Sequence, residues 1–257
     1  MINVGDIVAN YMAVWNENDP VERRRRIRSV WAPDGATCNR MIDARGYEAI
    51  EARVIGSWEK WLSEGRFLFR PKAVAQHHGV VKFDWMMTKV PGGEVEASGV
   101  SFLILNPDGR IGYDYQFNPT ANDAADLAER YVALWNEADS EARLRRVGEL
   151  FAADGAYVSQ SSTAEGHAGI EAEAAAAREA YGAKGLRFWS AGFSQAHHRV
   201  AQFQWRMRPA EGGRDAAAGS DLVILDEEGR IRFDYQFEEA AQIAEDEASV
   251  AIFRRSV

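Results

Sequence analysis

Residues 109–117 read Gly-Arg-Ile-Gly-Tyr-Asp-Tyr-Gln-Phe, and residues 229–237 read Gly-Arg-Ile-Arg-Phe-Asp-Tyr-Gln-Phe. Each is a turn followed by an alternating run, the pattern of a strand leaving a hairpin. Working backwards from both, the chain repeats at an interval of 120 residues. His77-His78 recurs as His197-His198, and Tyr11, Trp15, Asn16, Glu17 and Asp19 recur as Tyr131, Trp135, Asn136, Glu137 and Asp139. Laid over each other without a gap, 11–117 and 131–237 share 39 of 107 positions. A repeat of that length is a whole domain, not a solenoid unit. The division expected is 1–120 for copy one and 121–257 for copy two with a helical tail over 238–255.

Composition narrows the function classes. The net charge of −9 argues against nucleic acid, since phosphate contacts need clustered Lys and Arg. The basic run Arg23–Arg26 with Arg28 lies in a helical stretch and reads as a solvated face. The one cysteine, Cys38, rules out an internal disulfide and has no metal-site spacing; Val158 is its counterpart, so it packs as a small hydrophobe. No apolar run is long enough to span a membrane and no signal peptide is visible, which leaves a cytoplasmic protein as the default expectation. No phosphate-binding Gly-rich loop with Lys is present, and none of the patterns implies a cofactor.

Within copy one, Ile7, Val8, Tyr11, Val14 and Trp15 have helical spacing over 6–18. Asp19-Pro20 starts a second helix to about Trp31, with Asp19 as N-cap and Pro20 at the first position. Pro33-Asp34-Gly35 reads as a turn before a strand over 36–42. Gly46 opens a third helix over about 47–63. Strands are expected over Phe67–Ala75, His78–Lys89, Glu96–Leu105 and Arg110–Phe117. Helices first and strands last is an α+β pattern with helices on one face of an antiparallel sheet.

Four signatures carry a resemblance: Tyr-x-x-x-Trp-Asn in the first helix, Trp/Phe-Ala-x-Asp-Gly-Ala before the first strand, His-His ahead of Phe-x-Trp, and Gly-Arg-Ile at the last strand. Together they resemble the nuclear transport factor 2-like superfamily, nearest its SnoaL-like and ketosteroid-isomerase-like branches. The resemblance implies two tandem cone-shaped α+β barrel domains. Each carries about three helices on a bent, mostly antiparallel sheet, and the two pair as an internal pseudo-dimer.

It also implies site residues. The oxyanion-hole tyrosine falls on Tyr11 and Tyr131. Its acidic partner, eight residues before Gly-Arg, is Ser101 in copy one and Asp221 in copy two. The first-strand base falls on Asn39 and Ser159, and neither can take a proton near neutral pH. Period-two alternation puts Asp114 and Gln116 on one strand face, and by the resemblance that face lines the pocket. Asp234 and Gln236 repeat it, with an interface between the copies or a structural Asp–Gln pair as the alternatives. Alternation also puts His77 on the face of Val81, Phe83 and Trp85.

Tyr131, Asp221, Asp234 and His197 are the candidate catalytic groups. Tyr11, Asn39, His77, Trp85, Asp114, Gln116, Ser159, Trp205 and Gln236 are the candidate binding groups. No metal site is expected. The function expected is proton-transfer chemistry (isomerisation, cyclisation or dehydration) on a small apolar carbonyl compound, mainly in copy two. The alternative is a binding or scaffold protein that has lost its base. An epoxide hydrolase would need an Asp-Arg-Asp arrangement that the sequence does not offer.

Overall fold

The computed structural model describes residues 3–118 and 122–239. The proposed tail helix over 238–255 lies outside them, except that Glu238 and Glu239 continue the last strand.

Copy one runs α1 (Val4–Asn16), α2 (Pro20–Val30), β1 (Trp31–Asn39), β2 (Ile42–Arg45), α3 (Gly46–Trp61), β3 (Phe67–His77), β4 (Val80–Lys89), β5 (Val95–Leu105) and β6 (Ile111–Phe117). Copy two repeats it as α4 (Ala125–Asn136), α5 (Ser140–Leu150), β7 (Phe151–Val158), β8 (Thr163–Glu165), α6 (Gly166–Gly182), β9 (Leu186–His197), β10 (Val200–Pro209), β11 (Ala217–Leu225) and β12 (Ile231–Glu239). The sheets are ordered β2-β1-β6-β5-β4-β3 and β8-β7-β12-β11-β10-β9. Among the described residues the named strands pair antiparallel except β1–β6 and β7–β12. Each copy is therefore an α+β cone, three helices against one bent sheet.

Local chemistry explains the elements. Asp19 caps α2 by accepting from Val21 and Glu22 N–H, and Asp139 caps α5 from Ala142. The Trp-Asn motif ties α1 to the sheet. The Asn16 carboxamide donates to Phe69 O at 2.8 Å and accepts from Phe69 N at 2.9 Å, and Asn136 does the same with Phe188. Both bonds satisfy backbone groups of a sheet-edge strand.

Two sequence expectations need correction. Pro33-Asp34-Gly35 is not a turn but part of β1, where Trp31 pairs with Ile111 and Ala36 already pairs with Tyr113. The extra residues form a bulge against β6. A Cβ on Gly35 would lie 2.8 Å from Ile111 O, which is why glycine recurs there as Gly155. The repeat is also not gapless. Phe69 pairs with Met87, while its counterpart facing Met207 is Phe188, not Trp189. Copy two has one residue fewer before β9 and one more in its bulge at Gly192 and Phe193.

The outer faces of the two sheets share a hydrophobic cluster. Phe102, Tyr115 and Phe117 of copy one meet Val200, Leu222 and Phe237 of copy two. His77 Nε2 donates to Gln236 O at 2.8 Å, and His197 Nε2 to Gln116 O at 3.2 Å. Each imidazole also lies on the next phenylalanine, His77 on Phe237 at 4.2 Å and His197 on Phe117 at 4.5 Å between ring centres.

Candidate functional site

Period-two alternation on β6 sends Tyr115 and Phe117 to the seam and Asp114 and Gln116 into the cone. Asp114 is fully buried. Its Oδ2 accepts from Tyr11 Oη at 2.8 Å, Thr37 Oγ1 at 2.8 Å and Gln116 Nε2 at 3.0 Å. The same amide nitrogen lies 2.9 Å from Tyr11 Oη. Among the described residues Asp114 Oδ1 has no partner. Burial raises the carboxyl to about 6, and the three donors restrain the rise. Burial and the neighbouring carboxylate likewise push Tyr11 well above the usual phenol value.

Above this network lies a cavity of about 200 Å³. Tyr11, Gln116 and Asn39 line its polar side, and Trp15, Phe69 and Trp85 its apolar walls. Arg53 enters from α3. Its guanidinium sits 5.1 Å from the centre of the Trp15 ring, and Nη2 is 3.5 Å from Gln116 Oε1. Burial lowers its pKa, yet an arginine stays charged in a protein. Asn39 at the base position holds the β1–β2 turn by accepting from Met41 N at 2.9 Å.

Copy two preserves the tyrosine–aspartate contact but seals it. Tyr131 Oη donates to Asp234 Oδ2 at 2.7 Å. Tyr157 replaces Thr37; its hydroxyl donates to Gln236 Oε1 at 2.8 Å and its ring packs 5.0 Å from Trp135. The copy-two cavity, also about 200 Å³, is lined by Tyr157, Ser159, Trp205 and Gln236, and not by Tyr131, Asp221 or Asp234. Ser159 Oγ accepts from Ser162 N at 3.0 Å and holds the local turn.

Asp221 is not an exposed strand residue. It is fully buried on β11 opposite Gln236, and among the described residues neither oxygen has a hydrogen-bond partner. Burial and the Asp234 carboxylate drive it well above the usual carboxylate range. Asp234 itself rises to about 7 through burial, against the opposing pull of the Tyr131 hydroxyl. Ser101, its copy-one counterpart, is buried with an unpartnered hydroxyl.

The histidines belong elsewhere. His78 and His198 occupy the hairpin turns with φ of 46° and 48°, so the alternation expected through His77 stops before β4. His77 and His197 face the seam, away from the tyrosine–aspartate clusters. A carbonyl only accepts, so each Nε2 carries the proton. Burial and the adjacent His198 push His197 down to about 4, which suits a neutral donor in an interface.

The sequence reading missed Arg53, Glu173, Thr37 and Tyr157. The signal was present: Arg53 aligns with Glu173 and Thr37 with Tyr157, charge reversal and a large size change inside an otherwise matching frame. Among the described residues no three His, Cys, Asp or Glu side chains gather as a metal site. No helix among them is long and apolar enough to cross a membrane.

No family model matches the sequence, and no curated protein matches it. Solved structures do. A SnoaL-like family protein from Agrobacterium tumefaciens, described provisionally as an isomerase, is 37% identical; the match covers 45% of this chain and 97% of that one, with a TM-score of 0.42. A protein from Sinorhizobium meliloti, described provisionally as a polyketide cyclase, is 16% identical over 43% of this chain and 93% of its own, with a TM-score of 0.35. A SnoaL-like protein of unknown function from Burkholderia thailandensis is 15% identical over 46% and 95%, with a TM-score of 0.36. Each spans about half of this chain, which is one copy. The identity to the first carries the family assignment.

Proposed function

We propose that this chain, which belongs to the SnoaL-like family, performs proton transfer on a small apolar carbonyl compound in the cavity of copy one. The observation that supports this reading is that Tyr11, bonded to a buried Asp114, faces an aromatic-walled cavity that also holds Arg53. Proton transfer beside a carbonyl needs an acceptor for the proton and a donor for the oxygen that becomes negative. The Tyr11 oxygen takes the proton from carbon as its own passes to Asp114 Oδ2. Net, one proton moves from substrate to Asp114, and the enolate oxygen lies against Arg53. Return of the proton to another carbon isomerises the compound. An acid near 6 is poised for this at neutral pH.

In this reading copy two (from about residue 121) is a partner domain. The seam of Phe102, Phe117, Leu222 and Phe237 makes the chain an internal pseudo-dimer, an isologous pairing within one polypeptide. The reading favours copy one over copy two because Tyr11 lines the copy-one cavity, whereas Tyr131 does not line the copy-two cavity.

The test is deuterium exchange from solvent into apolar ketones and enones, followed by proton NMR, which needs no knowledge of the product. Exchange should fall by about 10²- to 10³-fold in Tyr11→Phe, Asp114→Asn and Arg53→Gln. It should be unchanged in Tyr131→Phe and Asp221→Asn. Asn39 supports a second reading, a binder without catalysis, since its carboxamide is committed to the turn at Met41. Ligands that bind in copy one yet never exchange would favour it.

A further inference from the structure

The roofs of the two cavities carry opposite charge. On α3, Arg53, Ser57 and Trp61 follow each other at a spacing of four and line the copy-one cavity. On α6, Glu173, Ala177 and Tyr181 stand at the equivalent positions and line the copy-two cavity. Residues four apart share a helix face, so the exchange puts a carboxylate where copy one has a guanidinium. Among the described residues no Lys or Arg lines the copy-two cavity, and Glu238 adds a second carboxylate to its lining.

Glu173 is held in place. Its Oε1 accepts from Ser162 Oγ at 2.8 Å, and among the described residues no basic side chain lines the cavity beside it. Around it stand Trp135, Tyr157, Phe188 and Trp205. Aromatic faces carry negative potential and attract cations, more strongly where water is excluded. A half-buried carboxylate beside such rings is best satisfied by a positive charge. A cavity of this size class holds a benzene-sized molecule.

We propose that the copy-two cavity is a separate binding site for a small organic cation, its ammonium beside Glu173 and its apolar body among Trp135, Phe188 and Trp205. Anionic and enolate-forming compounds suit Arg53 in copy one and are repelled here. The chain thus offers two sites of opposite charge preference on one repeated frame. This site stands apart from the proton-transfer reading, and either can fail without the other.

The experiment is calorimetric titration of the full chain with phenyltrimethylammonium, and with benzenesulfonate as its anionic counterpart. One equivalent of the cation should bind. Glu173→Gln should weaken it at least tenfold, Glu173→Arg should abolish it, and Arg53→Gln should leave it within threefold. In wild-type protein the indole N–H signals of Trp135 and Trp205 should shift on titration with the cation. That readout needs no variant, so it holds even where a Glu173 variant folds poorly. The proposal is overturned by no cation binding at millimolar probe, by equal binding to a folded Glu173→Gln protein, or by shifts confined to Trp15 and Trp85.

Discussion

Tyr157 occupies in copy two the place that Thr37 occupies in copy one, and the two hydroxyls reach different partners. Thr37 Oγ1 donates to the buried Asp114 at 2.8 Å, whereas Tyr157 Oη donates to Gln236 at 2.8 Å. Tyr11 lies on the wall of the copy-one cavity; in copy two Tyr157 lines the cavity and Tyr131 does not. On the proposed function, this substitution between repeats favours the copy-one tyrosine–aspartate pair as the one that meets a ligand.

Thr37→Tyr should close copy one. It removes a donor from Asp114 and fills the floor of the cavity. A copy-one ligand at 100 times its dissociation constant stabilises the wild type by about 2.7 kcal/mol; this gain should vanish in the variant, as read by thermal shift. The reverse change, Tyr157→Thr, should cost about 3 kcal/mol through the space it leaves.

Stability should respond to pH through the buried carboxyls. Asp234 titrates near 7 in the fold against an ordinary value of 3.8, and Asp114 near 6. Between the ordinary and folded values the native state holds a proton that the unfolded state has lost. Stability therefore falls as pH rises through that window, by up to about 1.4 kcal/mol per pH unit for each carboxyl. His197 works the other way. Its value is lowered from 6.5 to about 4, so between those points the unfolded state binds the extra proton and stability rises with pH. The two partly cancel in the wild type, so the difference between variants is the readout. Asp234→Asn should gain stability relative to wild type as pH goes from about 4 to about 7 in urea titrations.

Two glycines should respond in opposite directions. A Cβ on Gly219 would lie 2.3 Å from the Trp205 ring, and one on Gly56 meets nothing within 4 Å inside helix α3. Gly219→Ala should cost about 1–3 kcal/mol by overpacking. Gly56→Ala should stabilise by about 0.5–1 kcal/mol. Urea midpoints distinguish them.

The seam should couple the copies. Phe237 is buried among residues of both copies. Phe237→Ala should cost about 3–5 kcal/mol. Calorimetry of the wild type should show one transition, and the variant should separate it into two.

The fold was legible because three signals agreed: a 120-residue repeat, helical spacing around Tyr11 and Trp15, and alternation ending in Asp-Tyr-Gln-Phe. Turn chemistry misled at Pro33-Asp34-Gly35, because a bulge against a parallel neighbour uses the same residues as a turn. Tyr11, Asp114 and Gln116 were legible as a group since alternation fixes their face. Arg53 was not, because a charged residue on an amphipathic helix reads as solvated until the sheet curves over it. His197 was misplaced because two histidines before a strand resemble a catalytic pair, and only the opposite copy supplies the carbonyl that each one binds.

On the proposed function the reactive oxygen-binding site lies in copy one. The most direct measurement is titration with 4-nitrophenol, whose phenolate absorbs visible light and whose oxygen mimics an enolate. One equivalent should bind as phenolate, lost in Arg53→Gln and Tyr11→Phe and retained in Tyr131→Phe and Asp221→Asn. Binding that survives Arg53→Gln and Tyr11→Phe but disappears in Tyr131→Phe or Asp221→Asn would contradict it and return the site to copy two.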